Sequence, residues 1–172
     1  MAAPFVYDTL WGNLAPTTLQ NNAAPIVLEQ AFKATVAGWI IGLRFYMDVN
    51  DTNWDFAWYA DSLFVARGAA MVSYLDNANV TKPLPGWQQR YFHPRQPLAA
   101  GTVVGVRHYS RSGLYYSTPG ALVAADIVNG NLTTTKHNSP RPNGRFTTTS
   151  GLFPNQNSAG DRYGIDVLFL KK

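Results

Sequence analysis

The chain has 172 residues, enough for one folded domain with at most an ordered extension, and too few for a second independent core. Hydrophobic residues make up 46% of it and charged residues 14%, which excludes a disordered chain and predicts a surface rich in Asn, Thr, Ser, Gln and aromatic side chains. The absence of cysteine excludes disulfide frameworks, thiolate nucleophiles and cysteine-ligated zinc, so stability must come from packing.

The net charge of +4 is unevenly distributed along the chain. Residues 1–76 carry seven acids and three bases, a net of −4, whereas residues 77–160 carry eight bases and one acid, a net of +7. If this polarity persists in space, it suits docking on an acidic partner or head-to-tail contact between copies; alternatively, the arginines scatter over long loops. The bases form no dense run with aromatics at fixed spacing, so we expect no nucleic-acid partner.

The sequence shows no targeting or membrane-spanning segment. The first Lys or Arg is Lys33, and the longest apolar run, residues 34–43, is about half of the ~20 residues that a membrane span needs. We therefore expect a protein that is made and used without crossing a membrane by itself and that has no membrane partner.

Residues 1–24 are rich in Ala, Pro, Asn and Thr and predict an extended N-terminal arm anchored by Trp11. From Pro25 onward, short apolar or alternating segments are separated by Gly, Pro, Asn and Asp, which is typical of strands joined by turns. The predicted strands cover about 26–33, 38–47, 55–66, 69–75, 87–92, 102–109, 114–117, 121–128 and 162–170.

In the last predicted strand, Tyr163, Ile165, Val167 and Phe169 share one parity and should face the core together. Residues 129–160 are mostly Asn, Thr, Ser, Pro and Gly, which predicts a long loop region that serves a function or is ordered by a partner. Helical periodicity is scarce. The pattern therefore predicts an all-β fold, an antiparallel β-sandwich of jelly-roll type over residues 25–172.

Several short segments occur together in an order that characterises a known family. They are 11–12 (Trp-Gly), 25–29 leading to Phe32, 42–46 (Gly-Leu-Arg-Phe-Tyr), Trp58 before Leu63, 86–89 (Gly-Trp-Gln-Gln), 97–102, 113–116 (Gly-Leu-Tyr-Tyr), 153–154 (Phe-Pro) and 163–169 (Tyr-Gly-Ile-Asp-Val-Leu-Phe). The set resembles the domain of unknown function found as repeated modules in bacterial surface and glycan-acting proteins, and as single modules in actinobacteriophage structural proteins.

The resemblance implies a β-sandwich similar to carbohydrate-binding modules, with no established catalytic residues. The chain departs from the family at two places. Gly164 stands where the closing strand of the family usually has Trp, which alters a packing or contact feature there. The segment between Tyr46 and Trp58 is rich in Asp and Asn instead of Gly and Thr, so that loop is expected to have a different role.

The sequence carries no constellation typical of catalysis, so we expect no enzymatic activity and no cofactor. G-x-S-x-G, phosphate-binding glycine loops and H-E-x-x-H are absent, and Glu29 is the only glutamate available for a carboxylate pair. The three histidines lie in different segments, where structural or surface roles are commoner than a metal site. Asp48, Asn50 and Asp51 lie in an oxygen-rich loop that could hold calcium, although Asx turns are the commoner use of such residues.

Exposed aromatic residues would support glycan binding, because sugars stack their apolar faces on Trp and Tyr. The candidates for contact with a glycan or a partner are Trp54, Trp58, Tyr59, Tyr115 and Tyr116, joined by Arg141 and Arg145 of the basic loop region. The alternative is that Trp39, Trp58 and Trp87 belong to the core. Trp54 and one of the neighbours Tyr115 and Tyr116 are better candidates for exposure, because adjacent strand residues face opposite ways.

Arg44 and Asp166 are charged residues within apolar strands. The simplest hypothesis is structural: both point to the solvent face of the sheet, or they pair with each other across it.

Two functional hypotheses remain. The first is a non-enzymatic bacteriophage virion structural protein, a minor tail or capsid decoration component, assembled in the host cytoplasm and located in the virion as a homo-oligomer or in many copies. Its arm and the loop region 129–160 would contact other virion proteins, and it is favoured by the Met1 start, the lone domain and the uneven charge. The alternative is a carbohydrate-binding module that recognises bacterial cell-surface glycans through exposed aromatics.

Overall fold

The fold is described from a computed structural model, which describes residues 6–48, 54–60, 86–135, 143–149 and 154–172. For residues 54–60, 90, 92 and 93 only the backbone is described. Within these residues all regular secondary structure is β, and none of it is helical. The prediction of an all-β fold is therefore confirmed.

Thirteen strands follow one another along the described residues. They are β1 (Thr18–Asn21), β2 (Ile26–Ala34), β3 (Gly38–Met47), β4 (Trp54–Ala60), β5 (Gly86–Leu98), β6 (Val103–Ser110), β7 (Leu114–Thr118), β8 (Val128–Asn129), β9 (Leu132–Thr134), β10 (Arg145–Thr147), β11 (Gln156–Asn157), β12 (Arg162–Tyr163) and β13 (Ile165–Lys171). The long strands are those richest in β-branched and aromatic residues, whose side chains fit a pleated, half-buried surface.

The strands form three antiparallel sheets. The order is β11-β10-β2-β6-β4 in the largest, where β9 also pairs with β2 and β8 with β9. The second sheet has the order β13-β3-β5 and the third β1-β7-β12. These layers make the predicted antiparallel sandwich.

The core lies where the inner faces of the largest sheet and of the β13-β3-β5 sheet meet. Alternate residues of β3, namely Leu43, Phe45 and Met47, belong to the same buried cluster as Leu28 of β2 and Val106 of β6. Each such side chain contributes about 1.5–3 kcal/mol relative to an exposed one. The predicted parity of the closing strand is confirmed, because its core side chains all join this cluster: Tyr163, Ile165, Val167 and Phe169.

Two expectations about the second half of the chain are wrong. Residues 121–127 form turns and irregular backbone instead of a strand, although Leu122 is fully buried. Residues 129–160 are not simply a loop in their described parts, since β9 and β10 both add to β2 and Leu132 is a core residue. The Asn- and Thr-rich composition hid these strands because they are only two or three residues long. The predicted strand 69–75 lies outside the described residues.

The segment before β2 is built into the domain. Leu10 and Trp11 are each 1% exposed and belong to the core cluster, and β1 pairs with β7 along its whole length. Trp39 and Trp87 are half-buried: Trp87 packs against the core, whereas the guanidinium of Arg95 lies 4.1 Å above the ring of Trp39. The alternative that Trp39 belongs to the core is therefore wrong.

Candidate functional site

The side of the β13-β3-β5 sheet opposite the one that carries Leu43 and Phe45 has a row of aromatic and polar residues, here called the outer face. Because Leu43 and Phe45 point into the core, their neighbours Arg44 and Tyr46 point outward. The antiparallel register places Tyr46 opposite Trp87 and Arg44 opposite Gln89 on β5. Tyr91, which is 56% exposed, follows Gln89 by two residues and lies opposite Gly42.

Three aromatic side chains meet at one end of the outer face, and we call them the aromatic cluster: Tyr46, Trp87 and Tyr116. The ring centroid of Tyr46 lies 5.6 Å from that of Trp87 and 5.0 Å from that of Tyr116. Both are edge-to-face arrangements, the favoured geometry for aromatic pairs. All three side chains are half-buried. The cluster therefore presents aromatic surface on a rigid support.

Charged and polar groups border the aromatic cluster. The guanidinium of Arg44 lies 4.3 Å above the ring of Trp87, and the Tyr116 hydroxyl donates to Asp48 Oδ2 at 3.3 Å. Partial burial and then the Asp48 carboxylate raise the pKa of Tyr116, so the phenol stays protonated at neutral pH. Trp87 Nε1 is buried and has no hydrogen-bond partner among the residues that the structure describes.

At the other end of the outer face, one amide joins two phenols. Gln89 Oε1 accepts hydrogen bonds from the hydroxyls of Tyr7, at 3.1 Å, and Tyr91, at 2.9 Å. The face thus combines flat aromatic surface with donors and acceptors that are held by neighbouring side chains. This is the combination that sites for polar, ring-shaped ligands use.

Gly164 supports the aromatic cluster from beneath. Its N–H donates to Tyr116 O and its carbonyl accepts from Tyr46 N, both at 2.8 Å, so it links β7 to β3. A Cβ at this position would lie 3.0 Å from Tyr46 Cβ and 3.2 Å from Pro16 Cγ. The absence of a side chain at this residue therefore makes room for the approach of Tyr46 to Tyr116.

Arg44 is held against the ring of Trp87 by a buried ion pair. Its Nε and Nη2 donate to Asp166 Oδ2 at 2.9 and 2.6 Å, and Asp166 is 2% exposed. The same carboxylate accepts the backbone N–H groups of Leu10 at 2.7 Å and Trp11 at 3.0 Å, and Arg44 also donates to the carbonyl of Gly12. The two residues do pair, but in the interior and not on a solvent face.

The structure places the predicted contact residues in different environments. Tyr116 belongs to the aromatic cluster, whereas its neighbour Tyr115 turns the other way and meets the ring of Tyr163 at 5.9 Å. The expectation that Arg145 contacts a glycan or a partner is wrong. Arg145 is buried and donates hydrogen bonds to both carboxylate oxygens of Glu29, at 2.7 and 2.8 Å, so it is not available to a partner. The burial follows from the pairing of β10 with β2.

The remaining predicted positions lie outside what the structure describes. They are Arg141, Asn50, Asp51 and the side chains of Trp54, Trp58 and Tyr59. Of the residues expected to hold calcium, the structure thus describes only Asp48, which accepts a hydrogen bond from the Tyr116 hydroxyl. Among the described residues, no three His, Cys, Asp or Glu side chains converge as metal ligands.

Most residues of the outer face were not among the predicted contact residues. Trp87, Gln89 and Tyr91 alternate at every second residue, which is the signal that they share one side of a strand. Tyr7 and Tyr46 could not be added from the sequence, because their contacts with β5 depend on long-range pairing.

Comparisons with known proteins identify a family and nothing more specific. No curated protein and no solved structure matches the chain. In the described part of the chain, no helix has the length and apolar character needed to span a membrane. The model of the family "Domain of unknown function (DUF4082)" matches residues 13–165, nearly the whole chain. The protein therefore belongs to the DUF4082 family.

Proposed function

We propose that this chain is a non-catalytic binding module that holds a glycan on its outer face. One observation carries the proposal: Trp87, Gln89 and Tyr91 alternate on the outward side of β5, with the rings of Tyr46 and Tyr116 completing the aromatic cluster. Sugars offer apolar C–H faces to aromatic rings and hydroxyls to amides, phenols and carboxylates.

The outer face offers both kinds of contact. The aromatic cluster and Tyr91 provide stacking surface at two places, which lie roughly 13 Å apart along the strand at the usual rise of ~3.3 Å per residue. Between them lies the Gln89 amide, and Asp48 lies beside Tyr116. A chain of several sugars would contact the whole row, whereas a monosaccharide would reach only one end.

A glycan array followed by calorimetry tests this proposal. We expect binding to bacterial cell-surface glycans by the intact protein, and about tenfold weaker binding on Tyr91→Ala or Trp87→Ala, because each stacked ring contributes on the order of 1 kcal/mol beyond its buried area. Tyr91 is exposed, so its truncation should leave folding intact. The matched control is Tyr109→Ala, which removes a half-buried tyrosine on β6 in the largest sheet.

Two results would contradict the glycan proposal. One is the absence of binding to any glycan on the array by the folded protein. The other is binding that Tyr91→Ala and Tyr109→Ala weaken equally, since this would locate the ligand elsewhere.

A role as a virion structural component is our second proposal, and a specific observation supports it. Large apolar side chains are exposed away from the described core, on Val6, Leu14, Val123 and Val128. Such positions suit contact with other subunits in an assembly. Since residues 8–21 dock on their own domain, contacts with capsid or tail proteins would use these apolar side chains.

Co-migration tests the virion proposal separately. The purified chain should elute with capsids or tails of the phage that encodes it during size-exclusion chromatography. Val123→Asp together with Val128→Asp should abolish co-migration, while Tyr91→Ala should not. Elution of the unaltered chain apart from both particles would contradict this role.

A further inference from the structure

We propose that residues 6–21, here called the arm, exchange between two copies of this chain. In the exchanged dimer, each arm docks on the other copy's body, here defined as the described residues from Ile26 onward. The partner is thus a second copy of the chain, and the interface is the surface that the arm already covers within one copy.

Among the described residues, the contacts that anchor the arm are made with the body. Asp8 and Phe169 form two backbone hydrogen bonds, one in each direction. The Asp8 carboxylate also accepts hydrogen bonds from Asn131. Trp11 donates from its indole to the carbonyl of Ile165 at 2.6 Å, and β1 pairs with β7 over four residues. None of these contacts depends on the arm and the body belonging to the same chain, so a second copy would reproduce them all.

The arm must be docked somewhere, because its central residues belong to the core. Leu10 and Trp11 are each 1% exposed, and their backbone N–H groups are the partners of the buried Asp166 carboxylate. An undocked arm would leave a buried charge without these donors and would expose two large apolar side chains. Both the closed monomer and the exchanged dimer, the smallest exchanged assembly, satisfy all these groups.

The hinge between arm and body, residues 22–25, carries backbone strain that exchange would release. Ala23 has φ +53°, a left-handed conformation that is unfavourable for a residue with a Cβ. The next residue, Ala24, precedes Pro25 and is thereby biased toward extended backbone. If Ala23 also became extended, β1 and β2 would follow each other as one continuous segment that leads the arm away from its own body. Strained short hinges are known to favour exchange.

Cross-linking between two single-cysteine chains tests the exchange directly. Leu19 on β1 and Tyr116 on β7 are register partners, and the natural chain contains no cysteine. When Leu19→Cys and Tyr116→Cys chains are unfolded, mixed and refolded at high concentration, we expect a disulfide-linked dimer that contains one of each. The pair Val123→Cys and Tyr116→Cys is the control for random contact, since Val123 is exposed and belongs to no strand.

Substitutions at the hinge test the role of its strain, and the chain offers a matched control. Ala159 has φ +59°, and its N–H donates to Asn157 Oδ1 just as that of Ala23 donates to Asn21 Oδ1, both at 2.9 Å. We expect Ala23→Val to raise the dimer fraction and Ala23→Gly to lower it, while Ala159→Val leaves it unchanged. Because each dimer straightens two hinges, the dimer dissociation constant should increase about tenfold or more for Ala23→Gly.

The expected set of results is a cross-linked mixed dimer and a dimer fraction, measured by light scattering, that follows the residue at position 23. Exchange is overturned if the Leu19→Cys and Tyr116→Cys chains cross-link no more than the control pair. It is equally overturned if Ala23→Val and Ala159→Val change the dimer fraction alike. Ala23→Gly relieves strain and should fold well, so the comparison does not depend on the valine variants alone.

Discussion

Arg44 on β3 and Asp166 on β13 face each other in register and form an ion pair of 2.6 Å between Nη2 and Oδ2 inside the protein. The pair joins three parts of the fold, since Asp166 binds the backbone of residues 10 and 11 and Arg44 lies above the ring of Trp87. The outer face and the docking of the arm therefore depend on the same two residues.

We expect Asp166→Asn and Arg44→Met each to destabilise the protein by about 3–5 kcal/mol, because either change leaves one buried charge without its partner. The double variant should lose less than the sum of the two single losses. Urea denaturation of the four proteins measures this coupling. Unchanged thermal stability in both single variants would show that the ion pair does not stabilise the fold.

The buried histidine of β6 makes stability depend on pH. His108 stacks on Phe45 at 5.9 Å between ring centroids, and complete burial lowers the pKa of His108 to about 3. Below its unfolded pKa of about 6.5, the unfolded chain binds a proton that the folded protein does not. The free energy of unfolding should therefore have its full value above a pH of about 6.5. As the pH decreases from there toward 3, it should fall by about 1.4 kcal/mol per pH unit.

Urea denaturation between pH 4.5 and 7.5 measures the histidine contribution, because most carboxylates stay ionised in that range. His108→Gln removes the titrating group and should flatten the slope. A slope that persists in His108→Gln would assign the pH dependence to other groups.

Glu29 and Arg145 form another buried ion pair, which attaches β10 to β2. Arg145→Ala should cost about 3–5 kcal/mol, because it leaves the buried Glu29 carboxylate unpaired. Hydrogen exchange should then increase at the amides of β10 and β11. Arg95→Ala, an exposed arginine on β5, is the control and should cost less than 1 kcal/mol. Equal effects of the two substitutions would contradict the structural role of Arg145.

Gly164 limits the size of the side chain beneath the aromatic cluster. Gly164→Ala should cost about 1 kcal/mol, because Tyr46 and Pro16 would have to yield slightly around the new Cβ. Gly164→Trp introduces a much larger side chain and should cost more, separate Tyr46 from Tyr116 and weaken glycan binding. Thermal unfolding and near-ultraviolet circular dichroism measure both effects. An unchanged aromatic spectrum in Gly164→Trp would contradict this account of the site.

The sequence predicted the long strands well because their patterns are local. β2, β3, β6 and β13 each combine apolar residues with β-branched or aromatic ones, and the parity of β13 alone identified its core side. Short strands such as β9 and β10 carry no such pattern, because they are defined by pairing with β2 and not by their own composition.

In the candidate site, too, some residues were predicted from the sequence, whereas others depend on long-range pairing. Tyr116 was among the predicted contact residues, whereas Arg145 had been expected to reach a partner and is buried against Glu29. A basic residue in a polar segment is usually exposed, and only the addition of β10 to β2 brings this one to a carboxylate. Charge in a sequence indicates where an ion pair is possible, and tertiary pairing decides whether it forms.

By itself, the sequence determined the all-β class, the inward parity of the closing strand and the reliance on packing instead of disulfides, because periodicity and composition are properties of the chain alone. The tertiary structure decided that the segment before β2 is built into the core and that Trp87, Gln89 and Tyr91 share one face with Tyr46. It also decided that Arg44 and Asp166 pair in the interior. Each of these relationships joins residues far apart in the chain, and strand register, which the local pattern does not specify, sets which residues meet.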